Sequence, residues 1–296
     1  MIIISIDGGL GNQMFQFAFY LAMRECYPYS DVKIDLSMLR ETTHNGYELE
    51  KVFGITAPFA TPKEVKLYSD YCPEEIKGYK LINIYNRIKR KIGFGKKEYY
   101  VQRDSTGYDE TYFCLNQRQS YYLRGVWANT KYFNHIRKQI VQTFSFPPME
   151  KLEKNLEEKM RAENTIGIHV RRGDYVKYGF RVLGKEYYYR AIEYIEKMIT
   201  NPQYVIFSDD IEYAKDLLND KIEAYYVMQN QGKRSYIDMQ LMSMCDHNII
   251  ANSTFSFWAA YLNANASKIV IYPDLEVKGC SEPYHDENWI KMEVSP

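Results

Sequence analysis

With 296 residues and a mass of 35.1 kDa, the chain is long for a single core and fits two domains of ordinary size. Its 38 lysines and arginines equal its 38 aspartates and glutamates, which excludes an overall field holding it on nucleic acid or an acidic membrane, so any anion must be bound locally. The five cysteines (Cys26, Cys72, Cys114, Cys245, Cys280) are odd in number and scattered without a C-x-x-C pair, which argues against zinc and redox-disulfide patterns and for a reducing compartment.

In chain order, residues 2–6 read as a buried strand, Gly8-Gly9-Leu10-Gly11 as a turn, 12–26 as an apolar-rich helix and 32–35 as a second strand. The apolar run ends at Asp7 and is too short for a signal segment, and no other stretch reaches the roughly 18 apolar residues of a membrane span, so a cytoplasmic protein is expected. Strand, glycine turn, helix and strand make a βαβ unit. From 42 to 122 the pattern is poorer, broken by Pro58, Pro62 and Pro73. The basic run Arg87, Lys89, Arg90, Lys91, Lys96 and Lys97 could dock on anionic lipid at the inner membrane surface, the default reading being a solvated segment. Residues 130–145 read as helical, and Pro147-Pro148 then stops the chain before a charged helix at 149–162. That proline pair is the expected hinge, giving domains 1–148 and 149–296.

The second half alternates clearly: strands at 165–170, 204–208, 224–227, 248–251 and 268–272, and helices at 185–200, 211–218, 235–245 and 254–264. This is the rhythm of a doubly wound parallel α/β sheet. There is no internal repeat. Tyrosine is the compositional outlier, at 29 residues, about three times the roughly 3% ordinary share; most should be half-buried packing residues, some of them facing sugar rings.

The sharpest pattern is His169-Val170-Arg171-Arg172-Gly173-Asp174, placed where a buried strand ends. In open α/β sheets that end of the strands is where ligands bind. Guanidinium offers planar bonding to phosphate oxygens at any working pH. A departing nucleoside diphosphate gains negative charge, so a fixed cation there favours the transition state and can do the task otherwise given to a metal. One arginine could instead brace the fold by pairing with an acid, a reading open above all for Arg172. His169 shares the strand face of Arg171 and is either a satisfied core histidine or a phosphate or ribose contact.

Asn252-Ser253-Thr254-Phe255-Ser256 carries a strand into a helix, so Ser253 or Thr254 would cap it and leave N–H groups for an anion. Asp238 falls in the first turn of an apolar helix, where a carboxylate suits the dipole and can also accept the paired donors of guanine. Gly8-Gly9-Leu10-Gly11-Asn12-Gln13 half resembles a dinucleotide-binding turn with Asp35 at ribose distance, but Met14 stands where the third glycine should be. Asp209-Asp210 follows a strand end without D-x-D spacing or a further ligand cluster, which suits cleft contacts or a helix cap better than a metal.

Taken together, GGLGNQMFQ at 8–16, HVRRGDY at 169–175, FSDD at 207–210 and NSTFSFWAA at 252–260 resemble the bacterial α-1,2-fucosyltransferases of glycosyltransferase family 11 over nearly the whole chain. The resemblance implies a GT-B-like fold of two Rossmann-like domains facing a cleft, with GDP-fucose held mainly by the second and no cofactor or metal. It implies inverting transfer of L-fucose from GDP-β-L-fucose to the 2-hydroxyl of galactose. It assigns Arg171 to the β-phosphate and His169 to the donor; a looser similarity to other fucosyltransferases implies Asp238 for guanine, and Ser253, Thr254, Phe255 and Ser256 for the phosphates and sugar. Gly9, Gly11, Asn12 and Gln13 would complete the substrate contacts, with Arg172 and Asp209 beside them. Asp174 is the candidate base, with a role in orienting Arg172 as the alternative. Where the family pattern has two tryptophans, this chain has Phe257-Trp258. A nicotinamide-dependent oxidoreductase and a non-catalytic glycan-binding module are the competing readings.

Overall fold

The computed structural model describes residues 1–39, 45–149, 151–152, 154–228, 230, 232–275 and 280–294; the side chains of Lys154 and Asp174 also lie outside the described set. Cα proximity divides the chain into two units, Met1–Thr143 and Phe144–Pro296, each built on its own parallel sheet.

In the first unit, β1 (Ile2–Ser5) is buried along its length, as an isoleucine run inside a covered parallel sheet must be. In α1 (Leu10–Cys26) every residue from Gln13 to Met23 is buried, so this helix is core on all faces rather than an amphipathic cover. Phe19 lies flat on Trp127, ring centroids 4.2 Å apart, and meets Tyr112 and Tyr132 edge-on. After β2 (Val32–Asp35) come α2 (Leu49–Phe53), α3 (Pro62–Tyr68), α4 (Tyr79–Lys91), β3 (Tyr99–Val101), β4 (Tyr121–Arg124) and α5 (Arg137–Thr143). The strand order is β2-β1-β4-β3, all parallel.

Among the described residues, the poorly patterned middle stretch therefore holds three α-helices and two strands. Pro62, which reads as a breaker, is the first residue of α3, where its missing N–H costs nothing; Thr61 and Glu64 form a reciprocal capping box around it. Of the helix expected at 130–145, only α5 is α-helical, preceded by two 3-10 turns.

The second unit begins with α6 (Lys154–Met160), shorter than the expected 149–162 helix, of which Glu150 and Glu153 are outside the described residues. Then follow β5 (Thr165–Val170), α7 (Gly173–Tyr178), α8 (Lys185–Met198), β6 (Gln203–Ser208), α9 (Ile211–Leu218), β7 (Ala224–Tyr226), α10 (Tyr236–Met244), β8 (His247–Ile249), α11 (Thr254–Leu262), β9 (Val270–Asp274) and β10 (Ile290–Glu293). The expected rhythm is present, with α7 and β10 as additions. The strand order β7-β6-β5-β8-β9-β10 runs outward from β5 in both directions. The order reverses between β5 and β8, and such a switch point leaves a crevice at the carboxyl ends of the two strands.

Both lips of that crevice are tied down from beneath. α8 buries Tyr187, Tyr188, Ala191, Ile192 and Ile195, a one-sided apolar stripe facing the sheet. The Tyr188 hydroxyl donates to the His169 carbonyl at 3.0 Å, at the end of β5. Its neighbour Tyr187 donates to the Ile250 carbonyl at 2.6 Å, just beyond β8.

Candidate active site

Parallel register assembles the arginine pair. Val170 of β5 lies opposite Ser208 of β6, so the residues that continue each strand, Arg171-Arg172 and Asp209-Asp210, come side by side. Arg171 Nη1 meets Asp209 Oδ2 at 2.9 Å, each side chain a quarter exposed. The other Asp209 oxygen accepts the backbone N–H of Arg172 at 2.9 Å. One carboxylate thus fixes the side chain of one arginine and the backbone of the next. The Arg172 guanidinium bonds Asp210 and lies 4.5 Å from the Tyr213 ring centre. Asp210 also caps α9 through the Tyr213 N–H, and these two donors hold its carboxyl below the usual range.

Both arginines are thus ion-paired. Arg172 makes the kind of acid contact that its bracing alternative expects. Arg171 is carried on the switch-point side with its guanidinium 5.6 Å from the Tyr175 ring centre. Gly173 follows for a steric reason: a Cβ there would come within 2.8 Å of Asp209 Oδ2, so a larger residue would push away the carboxylate that holds both arginines. Asp174 lies in α7, but its side chain is outside the described residues.

His169 is buried, with its ring centroid 5.7 Å from that of Phe255. Burial, and then the Arg171 charge, push its pKa well below the ordinary 6.5. The imidazole is therefore neutral at working pH, a hydrogen-bonding group rather than a proton carrier. Its Nδ1 has no hydrogen-bond partner among the described residues.

The other lip is the turn from β8 into α11. Ser253 caps the helix, accepting from the Phe255 N–H at 3.3 Å. Ser256 is wholly buried and its hydroxyl donates to the Ser253 carbonyl at 3.3 Å, so its role is internal. Thr254 and Phe255 are half-buried. Tyr175, from α7, donates to the Asn252 carbonyl at 2.5 Å, and Asn252 donates to the Arg181 carbonyl at 3.2 Å. These links join the β5 lip to the β8 lip, and sequence reasoning assigned neither. Tyr175 was visible only as the last letter of the arginine motif. Phe257 and Trp258 are buried in an aromatic cluster with Tyr261.

Asp238, in the first turn of α10, accepts from Asn230 Nδ2 at 2.7 Å. Burial raises its pKa to about 7 against the pull of that bond. Asn230 carried no sequence signal.

In the first unit, Gly8 adopts φ +78, and a Cβ there would lie 2.7 Å from Asn12 Nδ2, so the turn needs glycine twice over. Gln13 is buried, donating to the Gly8 and Gly46 carbonyls and accepting from the Glu48 N–H. Its amide is committed to the loop rather than displayed at the surface. Gly9 is the backbone N-cap of α1, Gly11 is buried within that helix and Asn12 is half-buried. Asp35, the acid a nicotinamide ribose would need, is buried and accepts from Tyr122 and Ser37, which leaves the oxidoreductase reading without its ribose contact. Among the described residues, no three of His, Cys, Asp and Glu come together as a metal-ligand group, and no helix is long and apolar enough to cross a membrane.

Comparison with known proteins places these features in company. The model of glycosyl transferase family 11 matches residues 1–293. An alpha-1,2-colitosyltransferase of Escherichia coli is 27% identical over 99% of both chains. The O-antigen biosynthesis glycosyltransferase WbnK of Escherichia coli is 32% identical over 90% of this chain and 92% of its own. Among solved structures, a selenomethionine form of the fucosyltransferase NodZ from Bradyrhizobium superposes with a TM-score of 0.50 at 15% identity, over 96% of each chain. That likeness concerns fold alone, and the fold is the GT-B-like α/β class of two Rossmann-like units that the sequence motifs imply.

Proposed function

Because the chain belongs to glycosyl transferase family 11, and is thus a glycosyltransferase, we propose that it moves L-fucose from GDP-β-L-fucose to the 2-hydroxyl of a terminal galactose, with inversion and without a metal. The observation that carries the reading is Arg171, held by Asp209 at the switch point of the second sheet.

The acceptor hydroxyl attacks the anomeric carbon from the face opposite the diphosphate. The carbon–oxygen bond to the β-phosphate breaks, and GDP leaves with the bonding electrons. Arg171 stabilises the charge that develops on that phosphate, which is worth more in the transition state than in the ground state. His169, neutral and with Nδ1 unpaired among the described residues, bonds the donor. Ser253, Thr254, Phe255 and Ser256 shape the turn that receives the phosphates and sugar, and Asp238 accepts the two N–H donors of guanine. Arg172 acts through Asp210, and Asp209 positions Arg171. Asp174 is the proposed acceptor of the hydroxyl proton, with orienting Arg172 as its alternative: an Asp174→Asn enzyme with near-normal turnover would remove it as base, while loss of folding would favour the orienting role. From the first unit, the resemblance assigns Asn12 and Gln13 to the donor, and Gly9 and Gly11 belong to the same set of proposed substrate contacts; the Gln13 side chain would act through the loop it holds. The enzyme works in the cytoplasm on a nucleotide sugar and a β-galactoside acceptor, without a nucleic-acid partner.

The name of the 27% identical relative supports a second reading, in which colitose replaces fucose on the same nucleotide. Both donors, offered in EDTA to a panel of β-galactosides and followed by mass spectrometry with linkage analysis, separate the two. An α-1,2-fucosylated product is expected. Colitosyl product alone would support the second reading, and activity only after added magnesium or manganese would contradict metal independence.

A further inference from the structure

The helix α4 stands the wrong way round for an ordinary surface helix. Leu81, Ile84, Tyr85 and Ile88, with Ile92 just beyond, recur at helical spacing, and at about 100° per residue they form one stripe roughly 100° wide. Such a stripe belongs against a core. Here it faces outward: Leu81 is 76% exposed, Ile84 57%, Tyr85 60%, Ile88 55% and Ile92 64%, and Phe94 follows at 69%. No residue of the helix is buried.

The opposite, polar face is what the protein grips. Asn83 accepts from the Cys72 N–H at 2.7 Å and donates to the Cys72 carbonyl at 2.9 Å. Asn86 donates to the Asp70 carbonyl at 3.1 Å. Arg90 pairs with the Asp70 carboxylate at 3.6 Å and lies 4.4 Å from the Tyr99 ring centre. These three residues, at i, i+3 and i+7, share one face and fix the rotation of the helix. The apolar stripe is outward by construction, not through loose packing.

Charge says what covers it. Lys80, Arg87 and Lys91 flank the stripe on one side and Lys89 on the other, by the same helical spacing. Residues 77–97 contain no aspartate or glutamate and add Lys77 and Lys97. An apolar stripe bordered by cations on both sides suits the boundary between anionic headgroups and acyl chains. A protein partner would need a matching apolar groove rimmed on both sides with acids. A chain with zero net charge has no general attraction to a membrane, so the affinity must be local.

We propose that α4 is an interfacial anchor that lays its Leu81–Ile84–Tyr85–Ile88–Ile92 face into the surface of an anionic lipid bilayer. The inference is independent of the donor reading, since none of these residues belongs to the arginine site.

Flotation of the full chain with phosphatidylcholine vesicles, with and without phosphatidylglycerol, tests it. Partition onto the anionic vesicles at least tenfold stronger than onto neutral ones is expected, weakening with salt. Ile84→Asn with Ile88→Asn, and separately Lys80→Glu with Arg87→Glu and Lys91→Glu, should each lower that partition at least tenfold while the melting curve stays in place. The charge-reversal set keeps the test alive if the asparagine pair disturbs folding. Equal binding to both vesicle types, no binding to either, or binding indifferent to the asparagine pair overturns the proposal. So does sedimentation showing self-association that the same pair abolishes, which would make a second copy the occupant.

Discussion

Arg171 and Arg172 each meet a carboxylate, yet their surroundings differ. Arg172 lies 4.5 Å from the centre of the Tyr213 ring and bonds the residue that caps α9, with its side chain 40% exposed. Removing an exposed pair of that kind costs about 1 kcal/mol, so Arg172→Ala should unfold in urea with a loss of that size and keep kcat/KM within about tenfold. A hundredfold loss of kcat/KM without a change in stability would put Arg172 on the ligand. Asp238 carries a pH signature. Its pKa is raised to about 7 by burial, and a carboxyl must be ionised to accept both N–H groups of guanine. Below that value a proton has to leave before the base can bind. GDP affinity should therefore fall as pH drops from 8 to 6, and calorimetry should register proton release on binding. Phosphate ionisation contributes to the slope as well, so the comparison is with Asp238→Asn, in which the protein's share should vanish. Identical pH profiles for the two proteins would take Asp238 away from the base.

At the scale of elements, α8 holds the crevice from below through two adjacent tyrosines that serve two different strands. Tyr188→Phe strips a buried hydrogen bond from the His169 carbonyl, at a cost of about 1 kcal/mol. Chemical denaturation should read this loss, and KM for the donor should rise because His169 sits on the loosened strand end. Unchanged stability and KM would mean that the strand end needs no such tie. Much of the second unit was legible because β5 and β6 are continuous apolar runs of a covered parallel sheet and α8 and α9 bury an apolar stripe, so apolar runs and helical periodicity report directly on structure. Periodicity shows which face is buried but not which carbonyl a hydroxyl reaches, and the ties made by Tyr175, Tyr187 and Tyr188 stayed hidden for that reason. α7 is too short to carry a period. α4 was obscured by its own basic run, which reads as a solvated segment until the outward direction of its apolar stripe is seen.

For the molecule as a whole, the site was legible as a set of motifs and became a constellation only through strand order and register. Sequence placed Arg171, His169 and Ser253 at strand ends, but adjacency of β5 to both β6 and β8 is a long-range pairing that no local pattern encodes. The β5–β6 pairing gives Asp209 and Asp210 their partners, so two partly exposed cations are paired with two acids. The same reasoning separates the units: the glycine turn of the first resembles a nucleotide-binding loop, yet Asp35 and Gln13 are committed to internal bonds, which agrees with the proposal that the second sheet holds the nucleotide. With charges balanced at 38 and 38, a diphosphate has no global field to follow and must depend on local donors. Titration calorimetry of GDP in EDTA against the native chain and Arg171→Ala reads that dependence most directly. Removing a charge-assisted donor of this kind should weaken binding by about a hundredfold in a chain that stays folded, with a stability loss of about 1 kcal/mol from the broken Asp209 pair; native-like affinity in Arg171→Ala would contradict the account.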